Sequence, residues 1–309
     1  MVEDITENDI EVLIMLSTYN GEKFLEQQLE SISKQDYLGK IVLYVRDDGS
    51  NDNTLEILKL WKDRLKIIYY NDEKNLGAAM SFWRLFLSAP KAKYYAFVDQ
   101  DDVWDTNKLR KAIEALSKRK SKALWFSNYR LIDKFGNVVN DAYNKIPPVL
   151  TVSSQLVCGI AQGCSMVFNS ELYQYCKDKN IKYIPMHDTI VFSYALAAGE
   201  VIYDNNPLFS YRVHENNVVA KTGKNINQKI KSTYSLWFKH RHEISKLAGE
   251  ILEDNINYLQ EKEIDFLILL SKTNKSIVDR IRLISSDNIK SNYTRGVKSF
   301  KIRTLLDLI

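Results

Sequence analysis

Three carboxylates, Asp99, Asp101 and Asp102, stand close together near the end of the run Tyr94 to Trp104, YYAFVDQDDVW. Carboxylates at such spacing repel one another unless a cation or hydrogen-bond donors offset them. A hard divalent cation carrying a diphosphate suits the cluster, because Mg²⁺ usually takes one or two carboxylates plus phosphate oxygens. An acidic turn capping the next helix is the plainer alternative. The apolar half of the run has the character of a buried parallel strand. The carboxylates therefore fall just beyond a C-terminal strand end, where open α/β sheets bind ligands.

The elements around this run can position it. Val12 to Thr18, VLIMLST, is another buried strand and runs into the turn signal Tyr19-Asn20-Gly21. Glu22 to Ser33 carries Phe24, Leu25, Leu29 and Ile32 at helical spacing. Ile41 to Val45 ends in Arg46-Asp47-Asp48-Gly49-Ser50, and Asn51 to Asn53 offer caps for a helix through Trp61. Leu65 to Tyr70 is a third strand, and Asn75-Leu76-Gly77 opens a helix through Leu87. After the acidic run come a helix from about Thr106 to Ser117 and a fifth strand, Ala123 to Asn128. Alternating strands and helices predict βαβ units in a parallel sheet with right-handed crossovers. Three polar strand ends then share one edge: Thr18, Tyr19 and Asn20; Asp47 and Asp48; and Asp99, Asp101 and Asp102.

After Tyr129 the rhythm changes. Leu131 to Val139 reads as a hairpin around Phe135-Gly136-Asn137, and residues 140–150, with Pro147-Pro148, as a loop. Gly159 to Phe168, GIAQGCSMVF, has small residues that let another group approach closely. A helix starts near Asn169, and Met186-His187-Asp188 opens another through Ala198. Val201 to Tyr203 and Phe209 to Val213 read as two short strands, and Tyr211-Arg212-Val213-His214-Glu215-Asn216-Asn217 closes this half. From about Asn225 the pattern is helical, with helices expected near 226–247, 249–270 and 272–285. The expected division is a catalytic domain over 1–219 and a helical region over 220–309.

Composition bounds the remaining possibilities. A length of 309 residues suits one large domain plus an appendage, and 45% hydrophobic with 27% charged residues is the composition of a folded soluble protein. No segment approaches the roughly 18 apolar residues of a membrane span. The N-terminal MVEDITENDI is acidic and lacks the apolar core of a secretory signal, so a cytoplasmic protein is expected. Cys158, Cys164 and Cys176 have no CxxC-type spacing and are odd in number, which predicts reduced, buried thiols. Residues 220–309 hold 17 Lys+Arg against 10 Asp+Glu, a net +7 on a body of net −3. A basic tail suits an anionic partner. No recognised nucleic-acid motif accompanies it, and an anionic membrane surface or a phosphate-bearing lipid fits as well as a nucleic acid. Within the tail, Lys290 to Arg303 carries five basic residues and no acid, with Tyr293, Val297 and Phe300 on one face. It reads either as a solvated helix packed on the body or as a membrane-surface helix.

Taken together, Ser17-Thr18-Tyr19-Asn20-Gly21, Arg46-Asp47-Asp48-Gly49-Ser50 with Asp52, Asn75-Leu76-Gly77, and Asp99-Gln100-Asp101-Asp102 with Trp104 resemble the family-2 glycosyltransferases of GT-A fold. The resemblance covers roughly residues 11–219. The segments DQDDVW, GCSMVF, MHD and YRVHENN look closest to bacterial rhamnosyltransferases of surface-polysaccharide assembly. The fold this implies is α/β: a Rossmann-like, mostly parallel sheet flanked by helices, with a C-terminal helical extension.

The resemblance also implies roles. Thr18, Tyr19, Asn20 and Asp48 would hold the nucleobase and ribose of a nucleotide-sugar, and Asp99 the ribose or sugar. Asp101 matches the metal-binding aspartate for Mg²⁺ or Mn²⁺, with Asp102 beside it. His214 matches a histidine that helps bind metal or diphosphate, and Arg212 would neutralise phosphate. Asp188 matches the catalytic base; many relatives carry Glu-Asp where this chain has His187-Asp188, which leaves His187 open. One base serving one in-line displacement inverts the anomeric centre, since retention by double displacement needs a second, nucleophilic carboxylate. The implied donor is dTDP-L-rhamnose or a UDP-hexose, and the implied acceptor a lipid-linked or growing glycan, at the inner face of the cell membrane. The C-terminal helices are expected to serve acceptor, membrane or homodimer contacts. A nucleotidyltransferase would need a glycine-rich basic loop after the first strand, and STYNGEKF has one Gly and one Lys. A catalytically inactive nucleotide-sugar-binding protein is disfavoured by the intact Asp48, Asp101, Asp102 and Asp188.

Overall fold

The computed structural model describes residues 10–70, 74–214, 241–287, 289, 291 and 293–309. The expected helical stretch 226–240, Glu215 to Asn217, and Lys290 lie outside the described residues. The chain divides into two compact units: residues 1–145, 162–178 and 200–212 form the first, and 146–161, 179–199 and 213–309 the second. These units interleave along the sequence and do not follow the boundary at 219. The helical segments 146–161 and 179–199 group with the C-terminal helices.

The first unit is built on a nine-stranded sheet: β1 (Val12–Thr18), β2 (Ile41–Asp47), β3 (Ile67–Tyr69), β4 (Tyr94–Val98), β5 (Val103–Trp104), β6 (Ala123–Ile132), β7 (Val138–Asn140), β8 (Met166–Asn169) and β9 (Glu200–Arg212). Their order is β3-β2-β1-β4-β8-β6-β9-β5, with β7 paired to β6. Pairs β1–β2, β1–β4 and β2–β3 are parallel, as the βαβ rhythm predicts. Helices α1 (Leu25–Ser33), α2 (Thr54–Leu60), α3 (Ala78–Ser88) and α4 (Lys108–Leu116) make the crossovers, and α6 (Ser170–Lys177) follows β8. Leu13, Ile14, Met15 and Leu16 of β1 are all fully buried, as the unbroken apolar run requires of a strand covered on both faces.

The structure adds to the parallel βαβ reading at two places. β8 lies between β4 and β6 and is antiparallel to both, so β6 is not β4's neighbour. The two short strands expected over 201–213 are one strand, β9, running parallel to β6 with register shifts at Ser127/Asn128 and Asn128/Arg130. Pro207, which cannot donate to a ladder, sits at the irregularity. β9 then pairs antiparallel with β5, setting Val103 opposite Ser210 and Trp104 opposite Phe209. That pairing brings Arg212 to the acidic loop.

The second unit is helical among its described residues: α5 (Val152–Cys158), α7 (His187–Ala198), α8 (Glu243–Asn255), α9 (Glu261–Lys272), α10 (Ile277–Ile284) and α11 (Thr294–Leu305). The single helix expected over 249–270 is broken between α8 and α9. Thr151 caps α5 and Ser276 caps α10 through their side-chain oxygens. Glu263 accepts from Ser153 N at 3.0 Å, Asp254 accepts from Tyr194 Oη at 2.6 Å, and Gly296 lets α11 close on Cys158. Cys158, Cys164 and Cys176 are all free thiols; Cys164 and Cys176 are buried and Cys158 partly so. No helix among the described residues is long and apolar enough to cross a membrane.

Candidate active site

The register of the parallel strands sets the polar strand ends side by side. Thr18 is opposite Asp47, and Leu16 is opposite Val98, the residue before Asp99. The first two strand ends are tied together. Thr18 Oγ1 donates to Asp47 Oδ1 at 2.7 Å, and Asp48 N donates to Thr18 O at 2.7 Å. Asp47 Oδ2 accepts from Ser50 N at 2.8 Å, closing a turn at Gly49, whose φ of 88° is readily adopted only without a side chain. Asn20, itself left-handed at φ 46°, donates its N–H to Ser50 Oγ at 2.8 Å and accepts from Asn51 N at 2.8 Å. Tyr19 between them is 48% exposed.

Asp48 occupies a different environment from the one the resemblance implies. It is buried, forms an ion pair with the equally buried Arg46, and accepts from Leu76 N and Gly77 N at 2.8 Å each. Arg46 also donates to Ser81 Oγ and Lys74 O, both at 2.6 Å. The Asp48 carboxylate thus shapes the Asn75-Leu76-Gly77 wall from behind; Asp47, half-buried, is the more accessible of the two.

The acidic loop has a similar division. Asp99 and Asp101 are half-buried, whereas Asp102 is fully buried. Asp102 Oδ1 accepts from Arg212 N at 3.1 Å, and its Oδ2 is buried with no hydrogen-bond partner among the described residues. Burial, and then the neighbouring Asp101 and Asp99, push its carboxyl well above the usual range. Arg212 is buried rather than presented to a phosphate. Its Nε donates to the Asp101 carbonyl at 2.8 Å and its Nη2 to Gln27 Oε1 at 2.7 Å, and its guanidinium lies 4.6 Å from the Phe24 ring centre. Burial pulls its pKa down, against Asp101 and Asp102. Arg212 therefore pins the acidic loop to α1.

Beneath the loop lies a cation that sequence reasoning missed. Lys108 is fully buried, donates to the Cys164 carbonyl, and its Nζ is 3.5 Å from the Trp104 ring centre. Burial pushes its pKa down to about 7, opposed by carboxylates that include Asp102, Asp105 and Asp99. Its signal was present: Lys108 shares the buried face of α4 with Leu109, Ala112, Ile113 and Leu116. Trp104 is buried, 3% exposed.

Among the described residues, Asp99, Asp102 and Cys164 each place a ligand atom within 4.8 Å of the other two. The Cys164 thiol is pushed well above its usual pKa, by burial first and then by Asp102, and remains a soft, protonated group that suits Mg²⁺ or Mn²⁺ poorly. The carboxylates fit a hard cation: two are half-buried, and the third has a buried oxygen without a hydrogen bond. His214, two residues beyond β9, and Asp188 belong to the second unit. Asp188 lies in the first turn of α7, where its Oδ1 accepts from Thr189 N at 2.6 Å. His187 beside it is buried, which pushes its pKa down to about 4 and leaves the ring neutral at neutral pH.

One further contact links two of the strand ends. Gln100 Oε1 accepts from Tyr19 N at 2.9 Å while Gln100 Nε2 donates to Tyr19 O at 3.0 Å.

Known proteins share this architecture. The model of the family "Glycosyl transferase family 2" matches residues 13–174. The dTDP-rhamnosyl transferase RfbG of Shigella flexneri is 31% identical over 275 residues, covering 82% of this chain and 91% of that protein. The crystal structure of S. aureus TarS 1-349 in complex with UDP-GlcNAc superposes with a TM-score of 0.62 at 17% identity, over 96% of this chain and 82% of that one. The mannosyltransferase PcManGT from Pyrobaculum calidifontis, in complex with GDP-Man and Mn²⁺, gives 0.52 at 16% identity, over 96% and 87%. The chain belongs to glycosyl transferase family 2, has the GT-A fold, and is a nucleotide-sugar-dependent glycosyltransferase.

Proposed function

We propose that this glycosyltransferase moves L-rhamnose from dTDP-L-rhamnose to a lipid-linked or growing surface-polysaccharide acceptor, with inversion and with Mg²⁺ or Mn²⁺. The observation that carries the donor is the similarity to a dTDP-rhamnosyl transferase over most of both chains. In this reading the strand-end edge of the first unit receives the donor. Tyr19 and Asp47 flank the nucleoside, and Thr18, Asn20 and Asp48 hold that wall in shape. Asp99 and Asp101 hold the cation, with Asp102 behind them and His214 added from beyond β9. The bound cation would supply Lewis-acid stabilisation of the diphosphate leaving group. Asp188 takes the proton from the acceptor hydroxyl. Direct attack opposite the leaving group then inverts the anomeric centre.

The test is a thermal-shift panel of dTDP, UDP, GDP and CDP, each with and without Mn²⁺. A nucleotide at 100 times its dissociation constant stabilises by about 2.7 kcal/mol. The expected result is Mn²⁺-dependent stabilisation by dTDP. Stabilisation by UDP alone moves the donor to a UDP-hexose, and no response to any of the four removes the donor-site reading.

The region 220–309 is proposed to meet the acceptor, a membrane surface or a second copy. Its last helix favours the membrane: α11 exposes Arg295 and Lys298 together with Ile302, Leu305 and Leu306, while Phe300 and Thr304 are buried. The double substitution Ile302→Glu, Leu305→Glu is expected to cut co-sedimentation with anionic vesicles severalfold. Unaltered vesicle binding by the folded variant ends the membrane role of α11.

A further inference from the structure

The backbone pairing of β1 with β4 stops at Leu16 and Val98. Beyond that point the two chains diverge, one into Tyr19-Asn20-Gly21 and the other into the acidic loop. Gln100 takes over where the ladder ends. Its amide accepts from Tyr19 N at 2.9 Å and donates to Tyr19 O at 3.0 Å, as a neighbouring strand would. The fit leaves no spare room. A Cβ built on Gly21 would lie 2.3 Å from Gln100 Oε1 and 2.7 Å from its Cδ, so glycine is what lets the side chain lie there.

The clamped segment is in turn fastened to the loop after β2. Asn20 N donates to Ser50 Oγ at 2.8 Å, and Gly21 N donates to Thr54 Oγ1 at 2.8 Å. A continuous set of hydrogen bonds therefore runs from Gln100, between Asp99 and Asp101, through residues 19–21 to residues 50–54. The set joins the residue between Asp99 and Asp101 to the Tyr19 backbone. Both Gln100 bonds are solvent-accessible, so they add little to overall stability and act on loop position.

We infer that Gln100 is a positioning residue that couples the diphosphate-and-cation loop to the nucleoside-side loop, and hence makes nucleoside binding depend on the cation. The inference rests on the donor reading above. Coupling of this kind is measurable as a factor by which one ligand changes the affinity of another. Two exposed hydrogen bonds, each at the low end of the usual net contribution, put that factor at roughly five- to tenfold.

The experiment uses thymidine, which has no phosphate for a cation to touch, alongside dTDP as a control. Dissociation constants are measured by calorimetry or ligand-observed NMR, with and without Mn²⁺. In the wild-type protein Mn²⁺ is expected to tighten thymidine binding severalfold. Gln100→Met keeps the length and removes both bonds; it is expected to abolish that factor, to raise the donor KM by about tenfold with little change in kcat, and to leave the melting temperature nearly unchanged. A purely structural role would lower the melting temperature and leave the Mn²⁺ factor intact. Gly21→Ala gives a second, independent check: by displacing the Gln100 amide it should raise donor KM about as much as Gln100→Met does, and have little effect in the Gln100→Ala background, where the clashing atoms are gone. An unchanged thymidine factor in Gln100→Met, or additive effects of Gly21→Ala and Gln100→Ala, overturns the inference while leaving the donor reading intact. Wild-type protein that binds dTDP neither with nor without Mn²⁺ overturns the dTDP reading instead.

Discussion

Asp48→Ala is expected to destabilise the first unit by about 3–5 kcal/mol, the range for removing one partner of a buried ion pair. The Arg46 side chain is fully buried and that of Asp48 is 4% exposed, so water cannot replace the lost carboxylate without opening the site. Arg46 would keep Ser81 Oγ and Lys74 O but lose its counter-charge. The part-buried N–H groups of Leu76 and Gly77 would lose their acceptor as well, a smaller loss because water can reach them. Asp48→Asn, which keeps one carbonyl acceptor and drops the charge, is expected to lose less. Hydrogen exchange is the suitable readout, because two compact units need not unfold together. The amides of Leu76 and Gly77 should lose protection by about two orders of magnitude or more in Asp48→Ala, as that energy requires. Full protection there, with nucleotide binding alone impaired, would mean that Asp48 contacts the donor directly and that its contacts with residues 76 and 77 do not hold in solution.

The same pair shows where the sequence was legible and where it was not. The strands β1 and β4 announced themselves as apolar runs, since each is covered on both faces, and the polar ends of β1 and β2 lie side by side as the strand pattern implied. The rotation of Asp48 inward and Asp47 outward was not legible, because adjacent residues at a strand end alternate faces and nothing local says which face is wall and which is cleft. β8 escaped for a different reason. Four residues after a run of small ones carry no period of their own, and antiparallel insertion between β4 and β6 is decided by contacts with Tyr95 and Leu124, distant in sequence. β9 looked like two strands because Asn205-Asn206-Pro207 reads as a break, whereas the structure absorbs it as a register shift. Arg212 was assigned to phosphate from its motif, but Gln27 and Phe24, which bury it, lie about 185 residues earlier. Lys108 was the one miss with a local signal, a lysine on the apolar face of an amphipathic helix. The interleaved units could not be read at all, since segments 146–161 and 179–199 are sorted by tertiary packing rather than by composition.

Asp101→Ala is expected to lower transfer by at least about 10²–10³-fold, the scale seen when one group stabilising developing charge is removed. The fold has reason to survive. Asp101 is half-buried, and its contact with Arg212 Nε is made by the backbone carbonyl at 2.8 Å, which alanine retains. The loss is assigned to the cation by a second measurement, the Mn²⁺ dependence of the dTDP thermal shift, which should vanish in Asp101→Ala and be reproduced in the wild type by chelation. Asp188 provides the contrast. Asp188→Asn keeps an acceptor for Thr189 N, bonded at 2.6 Å, and so preserves the first turn of α7, but it cannot accept a proton from the acceptor hydroxyl. Transfer should fall by about 10²–10⁴-fold, the usual contribution of a positioned base, while the Mn²⁺-dependent dTDP shift stays at its wild-type size. The two variants thus separate holding the leaving group from activating the nucleophile. Wild-type turnover in Asp101→Ala removes that residue from the cation site and leaves Asp99 with Asp102 to hold it. Wild-type turnover in Asp188→Asn leaves Asp188 a first-turn residue whose carboxylate only holds Thr189 N, and the base must then be sought elsewhere in the chain.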